Sequence, residues 1–136
     1  MSCVEANIPI TILEGGTFDK SYLWKTGNPA VAVDLTGYTA KMMIRAKLAD
    51  ATPLLSVPLG TVPWVADADT GIYIYAQTGE DIGKYRIYLK DDDTLGMCAG
   101  HKDINGVYDL FLYTFAGEAV LKQYGAATIK AAVTRT

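Results

Sequence analysis

The residues of this chain that could do chemistry are two groups of aspartates, one histidine and two cysteines. Asp67 and Asp69 stand just before Gly71, and Asp91, Asp92 and Asp93 run together with Asp103 further on, so either group could offer oxygen ligands to calcium. Neither spacing fits. A calcium loop of about twelve residues opened at Asp67 puts Thr78 where the bidentate carboxylate belongs, and the Asp91 run has no glycine at the sharp-turn position. The two groups read instead as a strand-to-strand turn and as a helix N-cap with solvated charge. His101 is the only histidine, so a zinc site or a Ser/His pair would have to use it, and its neighbours Gly100, Lys102 and Asp103 make a loop. Cys98 lies three residues from it, but a Cys/His nucleophile acts only when the two oppose each other in space and a third group orients the base. Glu14-Gly-Gly-Thr17 leads into a strand, whereas phosphate-cradling loops lead into a helix N-terminus. The expectation is no catalytic residue, no metal site, no cofactor site and no enzymatic activity.

Composition points the same way. The chain has 136 residues, half of them hydrophobic and a fifth charged, with a net charge of −3 and a pI near 5.0. That length suits one domain, residues 1–136, burying roughly two thirds of the surface its unfolded form exposes. The balance is that of a globular protein without a basic groove, so no nucleic-acid partner is expected. Met-Ser-Cys-Val-Glu-Ala-Asn at the start lacks the cationic and apolar regions of a signal peptide, and no run reaches membrane-span length. Synthesis in a cytoplasm, no membrane partner, and Cys3 and Cys98 as thiols follow as expectations.

The elements that would position any side chain are strands. Ile8–Leu13, Thr17–Trp24, Tyr38–Arg45, Gly71–Ala76 and Tyr85–Leu89 alternate β-branched or aromatic residues with others, and Gly, Pro, Asp or Asn bound them. The stretch from Gly106 to Arg135 reads as three short strands separated by glycine turns. Glu14–Gly16, Thr26–Pro29, Asp34–Gly37, Asp67–Gly71, Asn105–Gly106 and Ala116–Glu118 read as turns, with Gly37 and Gly106 needing positive φ. Turns this frequent predict an antiparallel sandwich or small barrel, with one short helical segment near 91–100. Trp24, Met42, Ile44, Ile74, Ile87, Leu110 and Leu112 are the expected core.

These residues also resemble a family. Glu14-Gly-Gly-Thr-Phe18, Trp24-Lys25, Gly27-Asn-Pro29 and Val33-Asp-Leu-Thr-Gly-Tyr-Thr-Ala-Lys-Met-Met-Ile-Arg45 resemble the opening of small β-sandwich proteins from the tails and baseplates of tailed bacteriophages. The resemblance continues at Ala68–Ile74, Gly106–Leu110, Gly117, Gly125 and Ala132–Arg135, and departs from the family at Lys90–Asn105, which is longer here than the usual short crossing. It implies an immunoglobulin-like antiparallel β-sandwich and a non-enzymatic virion structural protein of the tail, baseplate or tail adaptor. The implied partners are other virion proteins, in a symmetric homo-oligomer within the particle. The alternatives are a capsid decoration protein and a carbohydrate-binding module stacking sugars on Trp24, Trp64 and tyrosines.

Nine tyrosines and two tryptophans exceed what a core needs. In strands 72–76, 85–89 and 107–115 the apolar residues face one way, and Tyr73, Tyr75, Tyr88, Phe111 and Tyr113 face the other. Those five are the candidate interface, because large exposed aromatic patches are rare on monomers and tyrosine combines rigid area with a polar tip.

Overall fold

The computed structural model describes residues 6–27, 29–47, 52–60, 69–94, 97–98 and 102–131, and their architecture is all-β. The strands are β1 (Ala6–Asn7), β2 (Ile10–Leu13), β3 (Phe18–Leu23), β4 (Lys25–Thr26), β5 (Val31–Ala32), β6 (Thr39–Arg45), β7 (Leu55–Val57), β8 (Gly71–Ile74), β9 (Lys84–Leu89), β10 (Ile104–Tyr113) and β11 (Ala119–Lys130). One sheet runs β1-β11-β10-β6-β7, with β2 taking over from β1 along β11; a second runs β3-β9-β8, and β4 and β5 form a small hairpin. β1 and β2 lie parallel to β11, and every other strand pair is antiparallel. Beyond β7 the chain crosses to the second sheet, where Leu59 bridges Ile72.

Alternation explains the core. Ala40, Met42 and Ile44 of β6, Tyr108, Leu110 and Leu112 of β10, and Ile10 and Ile12 of β2 point inward from the first sheet. Ile72, Tyr85, Ile87 and Leu89 meet them from the second, and all belong to one hydrophobic cluster. Of the residues expected inside, Trp24, Met42, Ile44, Ile87, Leu110 and Leu112 are buried, while Ile74 is only partly so. Ile74 is the last residue of β8, an edge strand of the second sheet.

The chain end differs from expectation. β10 and β11 form one long hairpin rather than three short strands, and Gly106 and Gly125 lie inside strands. Gly106 does not adopt positive φ; a Cβ there would sit 2.3 Å from the Arg45 carbonyl oxygen, so glycine answers a close approach within the sheet. Gly125, at φ +151°, lets β11 approach the chain after β1, since its Cβ would fall 3.1 Å from the Ile8 carbonyl. The Asp34–Gly37 turn is as expected: Asp34 Oδ1 accepts the Thr36 N–H at 3.0 Å and hydroxyl at 2.6 Å, and Gly37 takes φ +79°. Asp91–Asp93 forms a 3-10 turn within the expected helical segment, and Gly79–Asp81 forms a second that was not expected. The Gly117 turn, at φ +86°, closes the β10–β11 hairpin.

One irregularity matters inside. The register of β10 against β11 shifts between Leu110 and Phe111, leaving Lys122 as the extra residue of a β-bulge. Two consecutive residues, Lys122 and Gln123, therefore both turn into the interior.

Candidate interaction surfaces

The five aromatic residues expected to share one interface lie on two different sheets. Tyr73 and Tyr88 belong to the β3-β9-β8 sheet and Tyr75 follows the end of β8, its N–H donating to the Lys84 carbonyl at 3.1 Å, while Phe111 and Tyr113 belong to β10 in the other. A single continuous aromatic face is therefore not formed. Tyr73 and Tyr88 are already buried within the chain, at 3% and 7% exposure, which corrects the expectation that only a partner would cover them. Tyr73 is covered because its ring lies where a Cβ on Gly60 would stand, 2.4 Å from ring carbons, and its hydroxyl donates to the Asp69 carbonyl at 2.6 Å. Burial, with the Asp69 carboxylate close by, pushes the Tyr73 hydroxyl above its ordinary pKa.

Tyr75 remains half-buried on this outer face, among polar neighbours. Its hydroxyl shares a 2.7 Å hydrogen bond with Ser21 Oγ, and the Arg86 guanidinium lies 5.7 Å from its ring centre and 3.1 Å from Asp19 Oδ1. Beside it runs a groove of about 710 Å³ lined by Leu35, Tyr38, Leu59, Tyr73 and Tyr75.

The outer face of the larger sheet is more apolar. Register sets Val107, Asp109, Phe111 and Tyr113 of β10 between Arg45, Met43, Lys41 and Thr39 of β6 on one side and Ala126, Tyr124, Leu121 and Ala119 of β11 on the other. Phe111 and Tyr113 are half-buried, with ring centres 6.4 Å apart. A groove of about 600 Å³ runs between Met43, Phe111, Leu121 and Tyr124. Asp109 is the one carboxylate in the middle of this stripe.

Glu14, Cys98, Asp93 and Asp103 make hydrogen bonds within the frame. Glu14 is buried and its Oε2 accepts the Cys98 N–H at 2.8 Å; the Cys98 thiol, also buried, lies 3.3 Å from the Ile129 carbonyl. Asp93 accepts a hydrogen bond from Thr70 Oγ1, whose oxygen in turn accepts the Lys90 N–H at 2.8 Å. Asp103 Oδ1 accepts the Ala131 N–H at 2.8 Å. Cys3, Trp64, Asp67 and His101 lie outside the described residues. Trp24, expected to stack on sugars in the carbohydrate-binding alternative, is buried, with Lys122 Nζ 4.8 Å from its ring centre.

Sequence reasoning missed the polar centre of the sandwich. Gln123 Oε1 accepts the Tyr85 hydroxyl, its Nε2 donates to the Tyr108 hydroxyl at 3.0 Å, and Tyr108 donates to the Ile8 carbonyl. Burial pushes the Tyr108 hydroxyl up to about 12 and Tyr85 higher still. Desolvation lowers Lys122. Two adjacent polar residues, Lys122-Gln123, interrupting an alternating strand were the available signal for this bulge. No helix among the described residues is long and apolar enough to cross a membrane. No protein-family model matches the sequence, and a search of curated proteins finds no match either.

Proposed function

We propose that this chain is a non-enzymatic structural protein of a tailed-bacteriophage particle, placed in the tail, baseplate or tail adaptor and acting through protein–protein contacts. The observation that carries the reading is the outer face of the larger sheet. Its half-buried Phe111 and Tyr113 stand with Met43, Val107 and Leu121 as an apolar stripe edged by Lys41, Arg45 and Asp109, a composition suited to a partner. The motifs from Glu14 to Arg45 support the virion assignment by resemblance. The sandwich reads as immunoglobulin-like. β6, β7, β10 and β11 occupy the places of its C, C′, F and G strands, and β3, β8 and β9 those of B, D and E, with the first strand set beside the last.

The test is incorporation. Phe111→Ser with Tyr113→Ser should leave circular dichroism unchanged and remove the protein from purified particles. Normal incorporation of that variant overturns the assignment of this face.

A further inference from the structure

We propose that the outer face of the β6–β10–β11 sheet pairs with the same face of a second copy of this chain, about a twofold axis lying along the Met43–Phe111 diagonal. The inference deepens the assembly reading above and rests on it. Its starting point is a charge pattern. Asp109 sits directly across from Met43, and Lys41 directly across from Phe111, so the four outward side chains form a quadrilateral. Its diagonals are Asp109–Lys41 and Met43–Phe111, each spanning roughly 7–8 Å between neighbouring strands.

Among the described residues neither Asp109 nor Lys41 makes an ion pair. Asp109 is half-buried, flanked by Val107, Phe111 and Tyr124, and it shares a groove with Arg45, whose guanidinium donates to Met43 Sδ at 3.1 Å. A purely apolar partner laid over that stripe would strip water from the carboxylate without replacing it, which is costly. An occupant that brings a further cation to that spot, with apolar surface around it, matches this face. A second copy does both. A twofold along Met43–Phe111 sets Asp109 of one copy against Lys41 of the other, twice by symmetry, and brings the two phenylalanines and two methionines together on the axis. The contact is self-complementary and closes at two subunits.

The experiment is sedimentation equilibrium of the full chain over a range of concentrations. The expected result is a monomer–dimer equilibrium that Asp109→Lys and Lys41→Asp each weaken by at least about tenfold, and that the double charge swap restores to within about threefold of the original. Lys41 is exposed, so Lys41→Asp keeps the test independent of any folding cost at Asp109. A monomer at every concentration, a dimer indifferent to either reversal, or a swap that fails to restore it overturns the proposal. If the chain alone is monomeric while Asp109→Lys still loses incorporation into particles, the face receives a different virion protein; the second-copy proposal falls and the assembly reading stands. A dimer rescued by the swap in a chain absent from purified particles sinks the virion reading and leaves the pairing intact.

Discussion

Gly37 sits at φ +79° with the Phe115 ring against it, Cδ2 lying 2.7 Å from where a Cβ would stand. Phe115 is 88% exposed and can swing aside, so the cost of Gly37→Val is backbone strain, about 1–3 kcal/mol by urea unfolding. A loss under about half a kcal/mol contradicts it. Gly106 was open to the same reading from Asn105-Gly106, yet its glycine answers the neighbouring strand and not a turn; a two-residue motif does not reveal which chain passes beside it. The tyrosines carry the pH dependence. Ionisation charges a tyrosine, and Tyr108 is held up to about 12 when folded against about 10 when unfolded, so its contribution is complete below pH ~10 and lost as pH rises through ~12. Tyr85 is shifted the same way. Tyrosinate absorbance of the folded chain should fall short of nine residues until the fold itself gives way in that alkaline range. Nine tyrosines titrating together near pH 10 with circular dichroism unchanged is the opposing result.

At the scale of the strand, the bulge in β11 sets two neighbours in opposite energetic positions. Lys122 brings a cation inside with no carboxylate partner among the described residues, offset in part by the Trp24 ring. Lys122→Met should leave stability within about 1 kcal/mol or raise it, since an apolar side chain of similar length removes the desolvation cost. Gln123→Leu leaves the Tyr85 and Tyr108 hydroxyls to lose their shared partner and should cost about 1–3 kcal/mol or more. Urea midpoints in the reverse order would show that the bulge does not turn both side chains inward. Leu110→Ala, deep between the sheets, should cost about 2–5 kcal/mol. Most strands were legible because alternation survives in β2, β6 and β10, while β-branched and aromatic residues mark β3, β8 and β9. The short β7 was not, being three residues long, and β11 was cut at Gly125 because glycine marks both turns and close approaches.

For the whole molecule, alternation picked out the inward residues Met42, Ile44, Ile87, Leu110 and Leu112 but could not say which strands share a sheet. That assignment comes from long-range pairing, β10 with β6 and β9 with β3, which no local pattern encodes. Five aromatic residues read as one surface therefore divided between two, and Tyr73 and Tyr88 proved to be buried within the chain. Tyr88→Ser should accordingly lower stability, whereas Phe111→Ser on the open stripe should act on assembly first; unfolding midpoints of the two variants decide between these outcomes. On the function proposed above, the chain is a building block of a particle. The most direct test of that reading is to purify the particles and locate the chain in a reconstruction while counting its copies by quantitative mass spectrometry. The account predicts density for the sandwich in the tail, baseplate or adaptor at a copy number fixed by the local symmetry, with the Phe111 face in contact. Particles without the chain, or with the Phe111 face turned to solvent, would contradict it.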